Sequence, residues 1–338
     1  MKNFIFNEAM NLSLVVDLNL EVCRETVKHI KLRPRMTVNE LVLEMSNSGC
    51  FGAGRLAQAV DIYERMIKSN AVIILGLAGA MVPSGMKQTI VEMIKRKMVH
   101  IIVSTGANMV HDALEAFGGV HYKGTVNVDD KLLYKHGIDR VYDVFIPEED
   151  FRKNFDRPLI EIFNEILREN GDKTFSTAEF MEEVGKRLKD ENSILYNAYK
   201  YKVPIFVPAI QDSCYGLAVE EYVTKHGGKN IKVDSFKGVI HFFEIIKKAE
   251  KKGALLIGGG VPKNFVFQAA FKANKPYDYV IQITMDRPEP GGLSGATLEE
   301  AISWGKVKGE ADRVQVICDA TICLPIIVAA VMERLFEK

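Results

Sequence analysis

Near-continuous apolar runs recur along the chain, each ending in glycine or small polar residues before a helical pattern starts. The first is AVIILGLAGA (residues 71–80), followed by PSGMKQTIVEMIKRK (83–97). VHIIVSTGAN (99–108) leads into MVHDALEAF, and VPIFVPAI (203–210), ALLIGGG (254–260), YVIQITM (279–285) and VQVICDA (314–320) extend the series. Strands apolar on both faces and alternating with helices predict a parallel sheet covered on both sides. The expected fold is α/β: an open, doubly wound, mostly parallel sheet with helices on both faces, Rossmann-like in plan.

The helical stretches carry their own signals. In GRLAQAVDIYERMIKS (54–69), Leu56, Val60, Tyr63 and Ile67 fall on one face. SFKGVIHFFEIIKKAEKKG reads as a helix capped by Ser235 and ending in lysines before Gly253. Residues 147–203 are helix-rich and charged, a layer with a solvated face. With no repeat and no low-complexity linker, the division expected is a single α/β domain (41–338) preceded by an N-terminal arm (1–40).

Composition narrows the classes. Lys+Arg and Asp+Glu both number 44, so bulk charge drives binding neither to nucleic acid nor to an anionic membrane. Five scattered cysteines, odd in number and never spaced CxxC, argue against a disulfide scaffold or zinc knuckle and for a reducing cytoplasm. No signal peptide and no membrane span is evident.

In open parallel sheets, ligands sit beyond the carboxyl ends of the strands. Four loops there have suitable composition: GLAGAMVPSG (76–85), STGAN (104–108), GGGVPKN (258–264) and CDAT (318–321). Small residues and helix N-termini suit a pyrophosphate, and an acid suits a ribose diol. None matches GxGxxG, so composition alone supports a nucleotide site. His111–Asp112 reads as a capping and surface pair, or alternatively as an orienting pair. No cluster has metal-ligand spacing, so no metal is expected. GLSGA (292–296) ends in Ala296 rather than glycine and follows no predicted strand, which leaves a hydrolase elbow unsupported.

GGLSGATLEEAISWGK (291–306) holds the single tryptophan two residues before a lysine. TLEEAISW predicts a short helix capped by Thr297 and ended by Gly305, which places Lys306 at a chain reversal. Trp304 offers a face to a cation, and Glu300, one turn earlier, a carboxylate. A lysine here is either a solvated cap or, with its amine partly deprotonated, a nucleophile toward carbonyls and imines.

SGATLEEAISWGK resembles the SGA…EAVSWGK motif of the deoxyhypusine synthase family, whose reactive lysine ends that motif. The resemblance runs over about residues 40–335 and takes in GCFGAGRLAQAVDIYERMI, GLAGAMVPSGMKQTI, VSTGANMVHD, GIDRVYDVFIPEEDF, PIFVPAIQDS, LLIGGGVPKNF and VICDATICLP. It implies NAD-dependent transfer of an aminobutyl group from spermidine to one lysine of a translation factor, through an imine on Lys306. It places Trp304 and Glu300 in the amine pocket. Thr105, Gly106, Ala107, Asp212, Gly258, Gly259, Asp319 and Ala320 would hold NAD, with Gly79 and Ser294 as further contacts. It also implies a cytoplasmic homotetramer with active sites shared across a dimer interface, entered past an N-terminal arm.

The sequence departs from the pattern at Leu217 and Leu293, where eukaryotic members of the family carry acids. Two further substrate-side positions hold His111 for a glutamate and Asn264 for a histidine. Three readings follow: deoxyhypusine synthesis, transfer of the same group to putrescine or another small amine as in homospermidine synthesis, and an NAD-binding protein without turnover.

Overall fold

The computed structural model describes residues 25–225, 227 and 229–336. In chain order its strands are β1 (Val72–Leu77), β2 (Ile101–Ser104), β3 (Tyr122–Lys123), β4 (Ile138–Val141), β5 (Val144–Pro147), β6 (Ile205–Phe206), β7 (Lys252–Ile257), β8 (Tyr277–Thr284) and β9 (Val307–Ile317). All six apolar runs contribute strands to one parallel sheet, ordered β6-β2-β1-β7-β8-β9. Numbered by sequence within that sheet, the order is 3-2-1-4-5-6, the doubly wound arrangement of dinucleotide-binding folds. The direction of winding reverses between β1 and β7.

Alternation along β1 shows why both faces are covered. Ile73, Leu75 and Leu77 enter one core cluster, while Ile74 enters a second on the opposite face with Val103 and Leu256. The Phe51–Lys68 helix closes the first face, burying Leu56, Val60 and Tyr63, and starts three residues before the predicted segment. The Tyr63 hydroxyl donates to the carbonyl of Met98 at 3.0 Å, which satisfies its one buried polar atom.

The charged middle segment is helical, comprising Glu148–Phe151, a π-turn at Arg152–Asp156, then Arg157–Asn170, Thr177–Arg187 and Ile194–Tyr201. Before it stands an unpredicted three-stranded antiparallel sheet in the order β3-β5-β4. Two local expectations need correction. The cap of the Ser235–Lys248 helix is Asp234, whose carboxylate accepts from the N–H groups of Phe236 and Lys237; Ser235 is already helical. Strand β9 begins at Val307, seven residues before the apolar run that announced it.

Residues 1–24 of the expected arm lie outside the described residues. Its last three residues begin the Val38–Ser48 helix, which has a Thr37/Glu40 capping box and packs on the Phe51–Lys68 and Ala320–Phe336 helices. Among the described residues, the four cysteines are unpaired and no helix is long and apolar enough to cross a membrane.

Candidate active site

The loops after β1 and β7 meet at the winding reversal. Gly79 and Gly258 both take left-handed backbone conformations, at φ +76° and +68°, and a Cβ on Gly258 would lie 3.4 Å from that of Ala78. Beside them, Thr105 opens the Gly106–Ala116 helix. Asn108 locks this corner: its Oδ1 accepts from the Met81 N–H at 3.0 Å, and its Nδ2 donates to the Gly79 carbonyl at 2.9 Å. Gly106 is pressed against the loop following β6, where an added Cβ would stand 2.5 Å from the Ser213 hydroxyl. The neighbouring Asp212 is exposed. Asp319 and Ala320 follow β9. Asp319 Oδ1 accepts from the Thr321 hydroxyl at 2.6 Å and its N–H at 2.7 Å, which holds this exposed carboxyl below the usual carboxylate range.

Gly79, Thr105, Gly106, Ala107, Asp212, Gly258, Gly259, Asp319 and Ala320 thus share the carboxyl edge of the sheet. This donor set fits a dinucleotide. The helices starting at Gly106 and Gly260 have no side-chain cap, which leaves first-turn N–H groups for phosphate oxygens, in the second helix those of Gly260 and Val261. Asp319 has its second oxygen available for a diol. Ser294 lies in the loop after β8, where its carbonyl accepts from Gln282 Nε2 at 2.8 Å.

The lysine stands where the motif predicts. Thr297 Oγ1 accepts from the Glu300 N–H and opens the Leu298–Ser303 helix. Gly305, at φ +63°, reverses the chain, and the Lys306 N–H returns to the Ala301 carbonyl at 3.0 Å. The Lys306 ammonium then lies 5.1 Å from the centre of the Trp304 ring. Trp304 is 55% exposed and meets Phe271 edge-on at 6.4 Å. Phe271 also lines an apolar cavity of about 430 Å³ with Val261, Asn264, Phe265 and Leu293. Asn264 and Leu293 therefore sit at the side of the tryptophan shelf.

Sequence reasoning passed over Lys263. It is 4% exposed, and its ammonium donates to Gln282 Oε1 at 3.0 Å and the Ala296 carbonyl at 2.6 Å. Burial, and then the Lys306 charge, push it down to about 8, while Glu300 opposes them. Two signals were available. Positions 263, 266, 267 and 270 share the buried face of the Gly260–Ala273 helix, and Gln282 interrupts the apolar run Val280–Ile283 within β8.

His111 and Asp112 belong to a different neighbourhood. His111 Nδ1 lies 2.9 Å from His121 Nε2, and His121 Nδ1 lies 2.6 Å from Glu115 Oε1. Burial pushes His111 down to about 4. The surface reading of Asp112 was wrong. This carboxylate is fully buried, accepting from the Ser193 hydroxyl and the Ile194 and Leu195 N–H groups, so it caps the Ile194–Tyr201 helix from outside. Among the described residues no hydrogen bond or ring contact links His111 to Lys306 or Trp304. Leu217 is 69% exposed, on the Cys214–Thr224 helix just beyond Asp212.

Comparison with known proteins identifies the family. Residues 40–331 match the family model described as "Deoxyhypusine synthase". "Probable deoxyhypusine synthase 1" of Methanosarcina acetivorans is 46% identical over 314 residues, covering 92% of this chain and 96% of its own. A protein of the same name from Archaeoglobus fulgidus is 42% identical over 301 residues, covering 89% and 96%. In fold, the chain resembles a crystal structure of a "putative deoxyhypusine synthase" from Entamoeba histolytica, with a TM-score of 0.64 at 19% identity, over 90% of this chain and 96% of that one. On the extent of the family match and the identity to these archaeal relatives, the chain belongs to the deoxyhypusine synthase family.

Proposed function

We propose that the protein is an NAD-dependent aminobutyl transferase, which takes the group from spermidine, carries it as an imine on Lys306 and delivers it to a lysine of a translation factor. The observation that carries the reading is Lys306 itself, fixed by the Gly305 reversal with its ammonium over an exposed indole. Bound NAD would supply the oxidation of the donor and the final reduction. The uncapped helix starts at Gly106 and Gly260 would hold its phosphates and Asp319 a ribose, with Gly79 and Ser294 beside them. Trp304 and Glu300 would orient the donor's ammonium groups, and Lys306, as free amine, would attack the donor's imine carbon. We assign the cofactor and catalytic residues to one α/β domain. Among the described residues no hydrogen bond or ring contact joins His111 to Lys306 within one chain, and the reading includes a homotetramer in which a second copy completes the site.

A second reading has its own support. Leu293, 46% exposed, and Asn264 bring no carboxylate to the cavity wall, which Lys272 also lines, and this suits a smaller or less charged amine such as putrescine as acceptor.

The test is to incubate the protein with NAD and spermidine, trap with borohydride and map the peptide. An aminobutyl adduct on Lys306 is expected. Its absence with NAD bound would point to another donor, and absence of NAD binding would leave only a protein without turnover.

A further inference from the structure

Lys263 is a buried cation without a carboxylate bonded to it. Its two acceptors, Gln282 Oε1 and the Ala296 carbonyl, are neutral. The orientation of Gln282 is fixed, because its Nε2 donates to the carbonyls of Gly258 and Ser294 at 2.9 and 2.8 Å. Its Oε1 therefore faces the lysine and can only accept. A lysine nitrogen is tetrahedral: one position is Cε, two are N–H bonds to these acceptors, and the fourth carries either a proton or a lone pair. Both protonation states keep the same two hydrogen bonds. Lys263 can thus gain or lose a proton without moving, and the charges acting on it are those of Glu300 and Lys306.

We propose that Lys263 is the proton-transfer group for amine exchange at Lys306. The inference rests on the aminobutyl-transfer reading. In that exchange the Lys306 nitrogen bonds to the imine carbon of the oxidised donor, leaving one carbon joined to two nitrogens. The incoming nitrogen must lose a proton, and the departing nitrogen must gain one before its bond to carbon breaks. Lys263 as amine takes the first proton and as ammonium delivers the second. No net proton or electron is consumed, and the departing amine leaves neutral. A group that titrates near 8 carries a proton in both directions near neutrality, which an ordinary lysine does poorly.

The geometry also explains the burial. Gly259 and Ser294 are in backbone contact, since a Cβ on Gly259 would lie 2.4 Å from Ser294 Cα. Gln282 and Lys263 fill the polar seam beneath these two turns.

The experiment compares full-length wild type, Lys263→Met and Lys263→Arg. It follows NAD binding by calorimetry and formation of the trapped Lys306 adduct in a single turnover. Arginine retains charge and donors but does not release its proton. Both variants are expected to bind NAD within about threefold of wild type and to form the adduct about a hundredfold or more slowly, as loss of a proton-transfer group predicts. The wild-type rate should rise with pH through about 8, a step absent from both variants. Adduct formation by Lys263→Arg at the wild-type rate would show that the residue only props the loops, and would overturn the proposal even if Lys263→Met fails to fold. A wild-type rate without a step near pH 8 would overturn it as well. No adduct in wild type would instead remove the transfer reading beneath it.

Discussion

The ammonium of Lys306 stands 5.1 Å from the centre of the Trp304 ring, two residues away across a left-handed glycine. Contacts of this kind are worth about 0.5–1 kcal/mol when exposed and roughly 2 or more when desolvated. Trp304→Leu should therefore raise KM for the amine about three- to tenfold with a smaller change in kcat, measured by steady-state kinetics. Lys306→Ala and Lys306→Arg should both abolish transfer while NAD affinity holds. Product from either would remove the imine on Lys306 from the mechanism.

Asp319 points one carboxylate oxygen at Thr321 and leaves the other exposed. Asp319→Ala should weaken NAD by about tenfold, the value of one hydrogen bond to a charged group. Unchanged affinity in calorimetry would move the ribose contact to another residue.

Gly259 has no room for a side chain against Ser294. Gly259→Ala should cost about 1–3 kcal/mol of stability through overpacking, and should weaken NAD because the turn must shift. A variant with unaltered melting and binding would mean that the two turns are further apart than described.

His111 and Asp112 are neighbours with opposite pH behaviour. Burial raises Asp112 from 3.8 to about 6, so its contribution to stability is present below pH 3.8 and is lost as pH rises through about 6. Burial lowers His111 from 6.5 to about 4, so its contribution is present above 6.5 and is lost as pH falls through about 4. The two slopes oppose each other between pH 4 and 6. Asp112→Asn should leave stability rising with pH in that window, and His111→Gln should leave it falling. Denaturant melts at half-unit pH steps would show this, and parallel slopes in both variants would contradict it.

Leu293 borders a cavity whose lining holds Lys272 and no carboxylate. If that cavity faces the donor amine, Leu293→Asp should tighten spermidine by about tenfold, the value of one charged hydrogen bond. A larger gain with spermidine than with putrescine would favour the first reading of function. No change would place the polyamine elsewhere.

Much of this was legible in the sequence because the relevant signals are local. Six apolar runs could be buried on both faces only in a parallel sheet, and Thr297, Gly305 and Lys306 announce a cap, a reversal and a lysine in order. What escaped depends on partners distant in sequence. The three-stranded sheet uses short strands such as Ile138–Val141; across all three only Ile146 is buried, and the alternation is too brief to stand out. Asp112 looked like surface because its three donors lie more than eighty residues away. Lys263 drew no attention because its side-chain acceptor, Gln282, lies nineteen residues on.

Between adjacent strands β2 and β6 the chain makes a long excursion, through the small antiparallel sheet and the helical layer, before rejoining the parallel sheet. An insert that leaves and returns side by side can change its outward face without altering the strand order. Only its outward parts can vary freely, because Phe155, Phe163, Phe180 and Leu195 on its inner side share one core with Ile73 and Leu75 of the sheet, and Asp112 grips the start of the Ile194–Tyr201 helix. A chimera that exchanges only the outward loops of this segment, and keeps its core-facing residues, should keep its nucleotide affinity while changing what it recognises.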